Sequence, residues 1–209
     1  MEQRTEEWFT ARLGKVTASR LADLMAKTKT GYGASRENYM AELIVERLTQ
    51  TPPVGFNSAA IQWGIENEPF ARQAYEEFAI VSVVETGFVP HPSIEMAGAS
   101  PDGLVDDEGL VEIKCPNTAT HINTMLSGNA PTKYILQMQW QMACTGRKWC
   151  DFVSYDPRMP KEYRLFIKRV DRDDDKIKEM EAEVIKFLTE LDQKLSALEK
   201  SVSEASNER

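Results

Sequence analysis

A chain of 209 residues, 42% hydrophobic and 28% charged, suits one globular domain with a substantial core and excludes a disordered or fibrous architecture. Its three cysteines, Cys115, Cys144 and Cys150, are odd in number and contain no Cys-x-x-Cys pair, which argues against a disulfide framework or a thiolate-held metal and fits a reducing cytosol. The net charge of −8 excludes a uniformly basic nucleic-acid binder, yet residues 171–209 carry 7 basic and 12 acidic side chains, so most of the excess sits in one segment and a local positive groove stays possible.

In chain order, the N-terminal residues Met1–Glu7 have the wrong chemistry for a signal peptide, and no apolar run approaches the roughly 20 residues that cross a bilayer, so a cytoplasmic protein without a membrane span is expected. Thr5, Glu6 and Glu7 predict a short helix over 6–13 that stops at Gly14. Thr17 predicts the cap of a second helix to Met25, with Ser19 in its first turn, where free N–H groups favour an anion. Lys27 to Arg36 contains three cations, no acid and two glycines, and reads as a flexible basic loop, either solvated or touching phosphates. Helices follow at 36–49 and 58–79, the second restarting or kinking at Pro69.

From Ile80 the pattern turns to strands: 80–84, 87–89, 96–100, 103–105 and 110–114, the last two joined by the turn Asp106-Asp107-Glu108-Gly109. Pro131 opens a helix to about Thr145, and strands are predicted at 149–155 and 163–170. The final helix sets Ile177, Val184, Leu188, Leu191, Leu195 and Leu198 on one face, better suited to packing within the domain than between subunits. The expected fold is α/β, a central mixed β-sheet flanked by α-helices, as one domain over 1–200 with a polar tail at 201–209.

Asp102, Glu112 and Lys114 are the residues most suggestive of chemistry. Hydrolysis of a phosphodiester requires carboxylate-held divalent metal, an activated water and positive charge on the developing phosphorane. On a strand, Glu112 and Lys114 share a face about 6 to 7 Å apart while Val111 and Ile113 point to the other. The hairpin turn brings Asp102 near Glu112 within a residue or two of register. Oxygen-only ligands select Mg²⁺, or Mn²⁺ in its stead. A neighbouring lysine orients water or neutralises charge.

Ser100-Pro101-Asp102-Gly103-Leu104 followed by Leu110 to Pro116 resembles the Pro-Asp…(Asp/Glu)-x-Lys core, shared with restriction-endonuclease-like nucleases, as it occurs in the lambda-exonuclease and YqaJ-type viral recombinase family. Trp8 to Ser19 is similar to the family's N-terminal motif, Gln62 to Glu68 to its Trp-Gly…Glu segment, Tyr134 to Trp140 to its glutamine helix, and Tyr155 to Met159 to the end of a later strand. The matches run in order from about residue 8 to 160.

The resemblance implies that Asp102, Glu112 and the main-chain carbonyl of Ile113 are metal ligands, that Lys114 assists the attacking water, and that Glu68, with Glu66 as its rival, serves the second of two Mg²⁺ ions. It makes Arg12, Ser19, Ser100 and Gln137 a pocket for a 5′-phosphate and Ile61 an apolar wedge at the terminal base pair. From the residues alone, Ile61 is equally a core side chain, and Gln137 and Gln141 equally the wet stripe of a helix. Trp8 and Trp63 read as core aromatics, Cys115 as a small filler, and His91 and His121 as structural or surface residues.

The activity implied is 5′-to-3′ digestion of one strand of linear duplex DNA, leaving 3′ single-stranded tails for phage or prophage recombination. A ring-shaped homotrimer in the bacterial cytoplasm and a single-strand-annealing partner belong to the same implication. The rivals are a related endonuclease, or a DNA-end-binding protein without catalysis.

Overall fold

Residues 2–52 and 58–207 are described by a computed structural model of the chain. Thr5 opens helix α1 (Glu6–Arg12): its backbone is extended, its hydroxyl accepts from the N–H of Trp8, and Glu6 and Glu7 sit favourably at the positive end of the helix dipole. The predicted helix from Thr17 to Met25 is replaced by strand β1 (Val16–Thr17), a 3-10 turn at Ala18–Arg20 and the one-turn helix α2 (Leu21–Leu24). Pairing decides this, because buried Val16 and Thr17 lie parallel to Ala97 and Gly98 and their backbone is already committed to a sheet.

The basic segment is no free loop. It forms a small hairpin, β2 (Lys27–Thr28) with β3 (Gly31–Tyr32), and then enters α3 (Ala34–Thr49). Lys27 pairs with Glu183 at 3.0 Å, and Arg36, only 1% exposed, pairs with Glu190 at 2.7 Å. Attraction to the acidic C-terminal helix has therefore removed Arg36 from any contact with phosphate. Lys29 stays exposed and makes no ion pair among the described residues.

Helix α4 (Ala59–Ala79) starts where the Ser58 hydroxyl accepts from the N–H of Ile61, runs through Pro69 as one helix, and ends at Ile80 with positive φ. That cap shortens the predicted strand at 80–84 to β4 (Val83–Val84). Strands β5 (Val89–Pro90), β6 (Ala97–Ala99), β7 (Gly103–Val105) and β8 (Gly109–Lys114) follow. Helix α5 (Thr118–Ser127) was not anticipated, although its signals are present: Asn117 caps the N–H of Thr120, and Gly128 at φ +65° closes the end. Then come α6 (Thr132–Thr145), β9 (Trp149–Tyr155), β10 (Leu165–Asp171) and α7 (Asp174–Asn207). The segment expected as a polar tail continues α7 to Asn207, and residues 208–209 lie outside the described chain.

The main sheet is mixed, ordered β10-β9-β8-β7-β4, with β8 parallel to β9 and its other pairs antiparallel. A second mixed sheet orders β1-β6-β5. Strand alternation gives β8 two packed faces: Val111 and Ile113 pack on Ala71 and Tyr75 of α4, while Leu110 packs with Met138 and Met142 of α6. On α7, Ile177, Met180, Val184, Phe187, Leu188 and Leu191 are buried, and Phe187 stacks on Tyr39 of α3 at 5.6 Å. Each such side chain contributes roughly 1.5–3 kcal/mol by leaving water, so the stripe packs within the domain as expected; only its last member, Leu198, is 47% exposed.

Candidate active site

The β7–β8 hairpin pairs Gly103 with Val111 and Leu104 with Leu110, and continuing that register by one residue beyond β7 carries Asp102 to Glu112. Oδ2 of Asp102 accepts from the main-chain N–H of Ile113 at 2.7 Å. Glu112 is wholly buried beneath α6, where one carboxylate oxygen accepts from Nε2 of Gln137 and the other from Nε2 of Gln141, each at 2.6 Å. The Lys114 ammonium pairs with the same oxygen as Gln137. Gln137 and Gln141 are thus not a wet stripe: both are buried, on the face of α6 turned to the sheet. The four-residue spacing of Gln141 from Gln137 marks a shared face without saying what that face meets.

Charge is crowded here. Burial, then the charge of Glu112 and, less, that of Glu68, push the Asp102 carboxyl well above its usual range, against the opposing pull of Lys114 and the Ile113 N–H. Burial opposes the charge on Lys114, yet Glu112 and Asp102 outweigh it and hold its pKa above that of an ordinary lysine. Its two acidic neighbours thus favour the charged form of Lys114.

An open cavity beside this group is lined by Arg4, Ile61, Glu68, Asp102, Ile113 and Lys114. Of the two glutamates, Glu68 faces the cavity, while Glu66 is exposed and bonded by Gln62 at 2.8 Å. Glu68 accepts from Arg4 at 2.5 Å and has Arg72 at 3.6 Å. Ile61, in the first turn of α4, is 50% exposed at the cavity, not core. Cys115 also lines the cavity; burial, with Glu68 and Asp102 adding, pushes its thiol up to about 12, which disfavours the thiolate.

A second cavity is lined by Trp8, Arg12, Thr17, Ser19, Tyr39 and Glu46. The Arg12 guanidinium lies 3.8 Å over the ring of buried Trp8 and makes no ion pair among the described residues. Burial lowers its pKa, with Tyr39 and Glu46 acting the other way. A desolvated cation without a carboxylate partner suits an anionic ligand. From this cavity the Trp8 indole N–H donates to the hydroxyl of Ser100 at 2.9 Å, two residues before Asp102. Arg12 and Ser19 therefore line one cavity with Trp8, and Ser100 touches it through the indole, whereas Gln137 is engaged with Glu112.

The remaining candidates are structural. His91 stacks on Trp140 at 4.8 Å, and His121 is buried between the Ser154 hydroxyl and the Tyr163 carbonyl. The Arg158 guanidinium covers Trp63 at 4.3 Å. Among the described residues no three carboxylate, imidazole or thiol groups form a ready-made metal cluster. The donor chemistry nevertheless fits a hard cation, since Glu68 and Asp102 line one cavity, Glu112 lies beside them on β8, and every donor is oxygen.

A family model described as the YqaJ-like viral recombinase domain matches residues 7–148. An alkaline exonuclease from Laribacter hongkongensis is 54% identical, over 96% of this chain and 100% of that one, with a TM-score of 0.90; its complex with dAMP gives 0.91. A phage-related exonuclease from Haemophilus somnus 129PT, 17% identical over 88% of this chain and 96% of its own, shares the fold with a TM-score of 0.70. No match was found among curated proteins.

Proposed function

The chain belongs to the YqaJ-like viral recombinase family, and on that premise we propose that it is a Mg²⁺-dependent exonuclease that degrades one strand of linear duplex DNA from a 5′-phosphorylated end, for recombination of the phage type. One observation carries the reading: the Asp102 carboxyl is bonded by the N–H of Ile113, next to Glu112 on β8, and Glu112 is paired with the Lys114 ammonium beside the same cavity. Support also comes from the Laribacter relative, an exonuclease whose complex holds dAMP. A homotrimeric ring, a single-strand-annealing partner and a cytoplasmic setting complete the proposal. No helix among the described residues is long and apolar enough to cross a membrane.

Asp102, Glu112, the Ile113 carbonyl and Glu68 would hold two Mg²⁺ ions, replaceable by Mn²⁺, which supply Lewis-acid activation of water and charge neutralisation. Lys114, whose charged form Glu112 and Asp102 favour, donates to the negative charge developing on the phosphorane oxygens or to the hydroxide formed from the attacking water. Gln137 and Gln141 fix both oxygens of Glu112. Arg12 takes the terminal phosphate with help from Ser19 and Ser100, and Ile61 meets the last base pair at the cavity mouth.

Digestion of end-labelled linear DNA with and without Mg²⁺ tests the proposal, with 5′ label released as mononucleotide only when the metal is present. Rapid loss of a closed circle would make the enzyme an endonuclease, and absence of Mg²⁺-dependent release would leave only DNA-end binding.

A further inference from the structure

The N-terminal residues before α1 are fastened across the cavity mouth. The Gln3 amide donates to the carbonyls of Thr86 at 2.9 Å and Pro101 at 2.7 Å, the second being the residue before Asp102. Thr5 closes the segment by capping α1. Between these two anchors Arg4 has φ +67°, a conformation that disfavours any side chain but glycine's absence of one.

Arg4 lines the cavity that contains Ile61, Glu68, Asp102 and Lys114. One of its terminal nitrogens bonds Glu68 at 2.5 Å, its remaining donors have no acceptor among the described residues, and the side chain is 45% exposed. Stability does not account for this. A half-exposed ion pair contributes less than a positive-φ residue costs, and Glu68 already has Arg72 as a neighbour. Strain retained at a cavity with chemistry in it points to a task there.

We propose that Arg4 is a further phosphate-binding residue of this site, aimed by Gln3 and Glu68 so that its free donors grip a backbone phosphate next to the scissile one. The proposal rests on the nuclease reading above. Arginine suits the role because Nη2 carries two N–H groups, one holding Glu68 and the other free to join a neighbouring nitrogen in a parallel pair on a phosphate. Five donors on one group serve both partners.

The test pairs Arg4→Gly, which relieves the backbone while removing the guanidinium, with Arg4→Lys, which keeps only the charge. Affinity for a 5′-phosphorylated duplex is measured across a salt series with Ca²⁺ in place of Mg²⁺, and kcat/KM with Mg²⁺. Arg4→Gly should make the slope of log affinity against log salt shallower by about 0.9, the loss of one phosphate contact, and cut kcat/KM by about 10- to 100-fold, as expected for hydrogen bonds to a charged group. Arg4→Lys should restore the slope and only part of the rate.

On wild-type protein, one methylphosphonate beside the scissile position should reproduce the loss, and Arg4→Gly should then add nothing to it. An unchanged slope and rate in Arg4→Gly, with wild type digesting normally, overturns the Arg4 assignment alone. Absence of digestion by wild type overturns the nuclease reading, and this assignment with it.

Discussion

Glu112 receives a side-chain amide on each of its carboxylate oxygens, and the second of these, from Gln141, comes from 29 residues further along the chain. The carboxylate is wholly buried, so its orientation is set by these donors and not by water. Lys114 completes the group from two residues away on the same strand face. A buried anion fixed in this way is preorganised for a cation before any substrate arrives.

Gln141→Leu should leave one oxygen of Glu112 without its donor. An unsatisfied buried charged group costs about 1–3 kcal/mol or more, so urea unfolding should show a loss of that size together with slower turnover. Stability equal to wild type would mean that Gln141 does not hold Glu112.

Lys114→Ala removes a cation that touches the proposed reacting atoms. Turnover should fall by at least about 10²–10³-fold, the scale for loss of one transition-state donor, while duplex affinity stays close to wild type. Single-turnover digestion alongside anisotropy titration separates the two, and a parallel fall in affinity would assign Lys114 to binding.

Arg12→Ala should reduce the preference for 5′-phosphorylated over 5′-hydroxyl ends by about 10- to 100-fold, the scale of hydrogen bonds to a charged group. The ratio of kcat/KM on the two ends reports it. Equal loss on both would show that Arg12 does not read the phosphate.

Asp156 supplies a pH dependence remote from the reacting centre. Burial works against its charge, but bonds from Arg158 and Thr118 prevail and pull its carboxyl down to about 2. A folded pKa below the unfolded value, about 3.9, gives stability that is present above pH 4 and lost as pH falls towards 2. Because Arg158 also bonds the Pro116 carbonyl, the pair ties down the loop that follows the strand bearing Lys114. Asp156→Asn should lower unfolding stability at pH 7 by about 1–3 kcal/mol and flatten its decline between pH 4 and 2; an unchanged acid limb in urea titrations would contradict the assignment.

The strands from 97 to 114, the α6 helix and the apolar stripe of α7 were legible because each rests on a short-range rule: alternation along a strand, a turn of acids and glycine, a helical spacing. Even the pairing of Asp102 with Glu112 is local, since one tight turn separates the two strands. Where the reading failed, a distant partner intervened. Val16 and Thr17 became a strand because β6 was there to pair with them, and Arg36 left the surface because α7 offered Glu190.

Sequence by itself determined which residue types would face one another on the β8 strand, because side-chain alternation is a property of the backbone. Only the tertiary structure decided that two glutamines of α6 would hold Glu112, that Glu68 and not Glu66 would face the cavity, and that Arg4 would lie across its mouth. Those relations depend on how elements far apart in the chain pack, and packing is fixed by the shapes and charges that meet in space, not by spacing along the chain.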